Sequence, residues 1–121
     1  MEIILPLVLV LGGLALGVVG YLGLAGRLPR NNVAGVRTAA TMRSDTAFRV
    51  ANKVAGVPAL AGGGVGLAGA VTAWLLPTDE GVFLAVIVAV AGMLALTVTG
   101  AVMGVRAATA VTDQEPEPPT R

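Results

Sequence analysis

Charged side chains divide the chain into three long apolar runs and one basic segment. No Asp, Glu, Lys or Arg occurs from Ile3 to Gly26, from Val54 to Leu76 or from Val82 to Val105, runs of 24, 23 and 24 residues. At about 1.5 Å per residue, a helix through the first run is about 36 Å long, enough to cross a hydrocarbon core of about 30 Å. Lipid offers no hydrogen-bond partner to a bare backbone, so each run must be helical. The pattern therefore predicts an all-α integral membrane protein with three transmembrane helices, at about 3–26, 58–76 and 82–105. The middle run is the least regular, because it holds Gly56, Gly62, Gly63, Gly64, Gly66 and Gly69, with Pro58 near its start. Proline fits the first turn of a helix and disrupts a later one, so the span proper is expected to begin near Pro58. The stretch before it, from Ser44 or Thr41 as cap, is expected to form a short amphipathic interfacial helix before the second span. On it Asp45, Arg49 and Lys53 make a polar stripe, while Ala47, Phe48, Ala51, Val54 and Ala55 lie opposite.

The first run is a poor signal peptide, since it is preceded by Met1-Glu2 and is longer than the usual apolar core. Orientation follows from the bases. Segment 27–53 carries Arg27, Arg30, Arg37, Arg43, Arg49 and Lys53 against one acid, Asp45, and Arg106 follows the third run directly. The turn Pro77–Gly81 carries Asp79 and Glu80 with no base. Bases concentrate on the cytoplasmic side, so the basic loop and the C-terminus are expected inside a bacterial cell membrane and the N-terminus outside. Tyr21 and Trp74 fall where interfacial aromatics belong. Residues 107–121, acidic and proline-rich toward the end, are expected to be a disordered cytoplasmic tail.

Composition narrows the chemistry. Of 121 residues, 55% are hydrophobic and 12% charged, with no Cys and no His. That removes thiol chemistry, imidazole catalysis and the usual zinc sites. No nucleophile motif, phosphate-binding glycine loop or metal cluster is present, so neither an enzyme nor a cofactor is expected. The spans carry no charge, which argues against a proton-coupled transporter. Thr72, Thr97 and Thr99 are their main polar side chains, and threonine commonly bonds its own helix. Nucleic-acid binding is not expected either, because Phe48 is the single aromatic of the basic loop.

Gly13 and Gly17, Gly62 and Gly66, and Gly100 and Gly104 each stand four residues apart. In lipid, close approach of backbones through small residues does much to hold helices together. These faces either pack the three helices of one chain or dock a second membrane protein or a second copy. Their presence on all three spans leads us to expect that one chain does not satisfy them all.

The basic loop carries a further pattern: Asn31, then Gly35-Val36-Arg37-Thr38, Thr41, the aromatic Phe48, the polar Asn52, and Gly56. It resembles the signature loop of the SdpI family, bacterial membrane proteins named for an immunity protein against a secreted toxin that attacks the producer's own membrane. The resemblance covers about a fifth of the chain. In that family the aromatic is usually tryptophan and the polar position often histidine, where this chain has Phe48 and Asn52; longer members have additional spans before this region. The resemblance implies toxin immunity or membrane signal relay by protein interaction, with the Gly-Val-Arg-Thr loop as binding surface. Asn31, Gly35, Arg37, Thr38, Thr41, Phe48 and Asn52 are then the candidate residues for partner or lipid contact. Arg37 is either the fixed cation for a carboxylate or lipid phosphate, or one more anchor to anionic headgroups. Asn31, Thr38 and Thr41 read better as loop-folding residues than as ligand contacts. The alternative functions are a structural subunit of a larger membrane complex, docked through glycine faces, and a holin-like pore-former.

Overall fold

The computed structural model describes residues 3–29, 31 and 35–114. Arg30, Asn32 and the stretch 115–121 lie outside the described residues. Three helices follow in order, α1 (Ile4–Leu24), α2 (Asp45–Leu75) and α3 (Asp79–Gln114), with one 3-10 turn, Thr41–Arg43, before α2. Each of the three is long and apolar enough to cross a membrane. Among the described residues there is no β-strand.

Helix α1 ends where Gly26 takes a positive φ of 73°. Arg27 N–H then reaches back to the Leu22 carbonyl at 2.8 Å, and Gly26 N–H to the Gly23 carbonyl at 3.1 Å. This C-terminal cap satisfies carbonyls that the helix itself leaves open, and it needs a residue without a Cβ. Helix α2 starts at Ser44, whose hydroxyl accepts from Ala47 N–H at 3.0 Å, with Asp45 in the first turn. Helix α3 starts after Thr78, whose hydroxyl accepts from Gly81 N–H at 3.0 Å, with Asp79 and Glu80 following. Both starts place acids where the helix dipole favours them.

Helix α2 lies between the other two and runs antiparallel to both, while α1 and α3 touch little. Its buried residues, apart from Phe48 and Asn52, are all Ala or Gly. The large side chains point outward: Leu7, Leu11, Leu14, Phe83, Ile87, Val88 and Leu94 are all exposed. An exterior of bulky apolar groups around an interior of small ones is the arrangement lipid favours, and in water it would be an aggregation surface. The span threonines donate to their own helices, Thr72 to Ala68, Thr97 to Met93 and Thr99 to Ala95, at 2.7 to 2.8 Å. Tyr21 and Trp74 are exposed.

Glycines set the helix spacing. A Cβ at Gly13 would lie 2.9 Å from the Gly63 carbonyl oxygen, and one at Gly20 would lie 2.8 Å from Leu60 N. Opposite, a Cβ at Gly104 would lie 2.6 Å from the Ala51 carbonyl oxygen, and one at Gly100 would lie 3.1 Å from Pro58 Cβ. Gly62 and Gly66 leave room for Leu16 and Met93, and Gly17 lies against Gly63. Gly13, Gly62, Gly66, Gly100 and Gly104 serve contacts within the chain, while a Cβ at Gly17 would meet nothing within 4 Å.

Two boundaries also differ from the sequence reading. The stretch before Pro58 is not a separate helix on the membrane surface, because α2 passes through Pro58 without a break. The proline ring is accommodated beside Gly100, where α3 has no side chain, and lipid favours an uninterrupted helix. The apolar side of this stretch faces protein, with Ala47 and Ala51 packed on Ala108 of α3 and on Ala40. The polar stripe Asp45, Arg49 and Lys53 is exposed, in keeping with its sequence spacing. Second, the segment from 107 is not disordered at its start, for α3 continues to Gln114. Ala108 is fully buried there, and Thr109 donates to the Val105 carbonyl at 2.9 Å. A charge at Arg106 marks where an apolar run stops, and the helix is free to continue beyond it.

Candidate functional site

The basic loop is folded against the bundle by two small hydrogen-bonded units. In the first, Thr38 N–H donates to Thr41 Oγ1 at 2.7 Å, and Thr41 N–H to Thr38 Oγ1 at 3.3 Å. Thr41 Oγ1 also donates to the Thr38 carbonyl at 3.1 Å, while Met42 N–H reaches the same carbonyl at 2.9 Å. Each threonine thus completes the backbone of the other, the local bonding by which such residues shape turns. Thr41 is fully buried and Thr38 exposed.

In the second unit Asn52 acts as a clamp. Its Oδ1 accepts from Val36 N–H at 2.7 Å, and its Nδ2 donates to the Phe48 carbonyl at 2.9 Å and to the Val36 carbonyl at 3.4 Å. One amide thereby holds both backbone groups of a residue 16 positions away. Asn52 is 4% exposed, and no described buried side-chain polar atom lacks a partner. Gly35, at φ 91°, allows the loop to approach that closely: a Cβ there would lie 2.5 Å from Asn52 Oδ1 and 2.8 Å from Leu28 Cδ2. Its positive φ and its lack of space both require glycine. Asn52 serves the bundle as well, since a Cβ at Gly23 of α1 would lie 2.5 Å from its carbonyl oxygen.

The candidate residues divide accordingly. Gly35, Thr38, Thr41 and Asn52 build the loop, and Phe48 is fully buried beneath it. Asn31 stands apart, donating locally to the Pro29 carbonyl at 2.7 Å. Arg37 is exposed, carried between the two units. Sequence reasoning did not reach Leu28, which is 9% exposed and packs on Gly35, or the pairing of Val36 with Asn52. A lone apolar residue after a helix cap was the only available signal for the first; nothing local signals the second.

Because α1 and α3 touch little, a groove of about 420 Å³ remains between them at the loop end. Leu16 and Val19 of α1 line one side, Thr97 and Ala101 of α3 the other, Gly56 and Ala59 of α2 lie between, and Arg37 and Thr38 of the loop also line it. The Thr97 hydroxyl is turned to its own backbone, so the lining is mostly apolar, with Arg37 as its one cation. Exposed Arg27, Arg43, Arg49 and Lys53 belong to the same loop end. Among the described residues no group of three His, Cys, Asp or Glu is placed to hold a metal ion.

A family model described as the SdpI/YfhL protein family matches residues 27–104. The match takes in the loop, α2 and most of α3. No curated protein and no solved structure matches the chain.

Proposed function

The chain belongs to the SdpI/YfhL protein family, and from that premise we propose that it is an immunity-type multi-pass membrane protein that acts by binding, with the Gly35–Thr38 loop as its contact surface. In this reading the loop faces the cytoplasm of a bacterial cell, the side on which an excess of Lys and Arg is favoured. A membrane-active toxin, or a membrane partner that reports it, is met at the rim where Arg37 stands. The observation carrying this reading is the division of labour within the signature loop. Gly35, Thr38, Thr41 and Asn52 use their polar atoms and their space to fix the loop backbone, and the arginine they hold between them is exposed. A guanidinium on a fixed backbone is preorganised for a carboxylate or phosphate. The alternative, a structural subunit docked through glycine faces, is less favoured, since Gly13, Gly62, Gly66, Gly100 and Gly104 already serve contacts within the chain.

Deletion of the protein is expected to sensitise cells to a membrane-active peptide toxin. Arg37→Ala is expected to reproduce the loss while the protein accumulates to the normal level. Unchanged sensitivity in the deletion strain would refute the protective role, and full protection by the Arg37→Ala variant would remove the loop from it.

A further inference from the structure

We propose that the groove between α1 and α3 is a binding site for one anionic phospholipid, with the phosphate on Arg37 and part of one acyl chain along α2. The groove follows α2 from Asn52 to Ala59, about 10 Å at the helical rise. Its lining is mostly hydrocarbon and glycine, and its neutral polar side chains, Thr38, Asn52 and Thr97, bond within the protein. A larger apolar groove lies between α2 and α3, but among the described residues no cation lines it, whereas this one combines an acyl-sized slot with a lining cation, Arg37. Arg37, exposed and among the groove's lining residues, supplies the complementary charge for a phosphate, and it belongs to the loop end where the other cations also lie. Amphiphile and groove thus agree in both halves, an apolar tail beside an anionic head. The site does not depend on the protective role, because lipid surrounds the chain wherever it is inserted.

Native mass spectrometry of the full chain, released from mild detergent with phosphatidylglycerol or phosphatidylcholine added, tests this. The expected result is one retained phosphatidylglycerol at concentrations where phosphatidylcholine is not retained. Arg37→Ala should weaken that retention about fivefold, the effect of about 1 kcal/mol for one basic residue near anionic lipid. Arg43→Ala, which removes a loop cation that does not line the groove, should leave retention unchanged. Ala101→Phe fills the slot and should abolish retention; Thr97→Phe does the same from an exposed position if the first variant fails to fold, with helical circular dichroism as the check. Equal losses with Arg37→Ala and Arg43→Ala would overturn the site in favour of general surface charge. Retention undiminished in both groove-filling variants, or a dimer that those variants dissociate, would overturn it as well. Protection against toxin is read separately in cells, so either result can fail without the other.

Discussion

Replacing Asn52 by alanine should release the loop while leaving the helices in place. Gly23 of α1 rests partly on Asn52 Cβ, which an ideal Cβ at Gly23 would approach to 3.3 Å, and alanine keeps that atom. What disappears is the acceptor 2.7 Å from Val36 N–H, together with the Nδ2 bonds to the Val36 carbonyl at 3.4 Å and, within α2, to the Phe48 carbonyl at 2.9 Å. Leaving a half-buried amide without its acceptor costs about 1–3 kcal/mol. At about 1.4 kcal/mol per factor of ten, the equilibrium for local opening at Val36 should rise about 5- to 150-fold. Amide hydrogen exchange reads this directly, since Val36 N–H has a side chain as its partner. In the wild type it should be protected although it lies in a segment without regular structure. In Asn52→Ala it should exchange faster by the stated factor, with amides in the middle of α3 unchanged. If Val36 keeps its protection, the clamp is not what holds the loop. If protection falls uniformly through α1 as well, the residue supports the bundle as a whole and not the loop alone.

Two further outcomes follow from the packing and the threonine pair. Gly23→Ala puts a Cβ 2.5 Å from a backbone oxygen of α2, so α1 must shift; a destabilisation of about 1–3 kcal/mol is expected, while Gly17→Ala, with nothing within 4 Å of its Cβ, should change stability by less than about 0.5 kcal/mol. Thermal melting of both variants in mild detergent checks the order, and equal midpoints would contradict the packing. Thr41→Val keeps the shape but removes the oxygen that accepts from Thr38 N–H, a loss of about 1 kcal/mol, so trypsin should cut after exposed Arg37 and Arg43 several-fold faster. Unaltered cleavage would show that the pair does not hold the turn.

The three spans were legible because a charge in lipid is costly, and uncharged runs therefore announce themselves. The helix ends were less so. Arg106 limits the apolar run, yet Ala108 has a packing partner in Ala47 and Ala51, and the helix continues for a reason no hydropathy pattern records. Pro58 reads as a boundary from its own chemistry, and only its neighbour Gly100, on another helix, explains why it is not one. The alanines at 47, 51 and 55 stand four apart and continue toward Gly62 and Gly66, a spacing that fits helix packing as well as it fits an amphipathic face. In the loop, the local roles of Thr38 and Thr41 could be read from residue type and separation. The Val36–Asn52 pair could not, because it joins an irregular segment to a helix through tertiary contact alone.

The central position of α2 bears on how the chain enters the bilayer. It is the least apolar of the three spans, and its glycines and alanines give little gain from contact with lipid tails. Helices α1 and α3, richer in large aliphatic groups, carry most of the partitioning energy. Insertion and cohesion are thus assigned to different segments: the outer two seek oil on their own, and the middle one settles securely only when flanked on both sides. A chain truncated before α3 should therefore strand its second span at the translocation machinery.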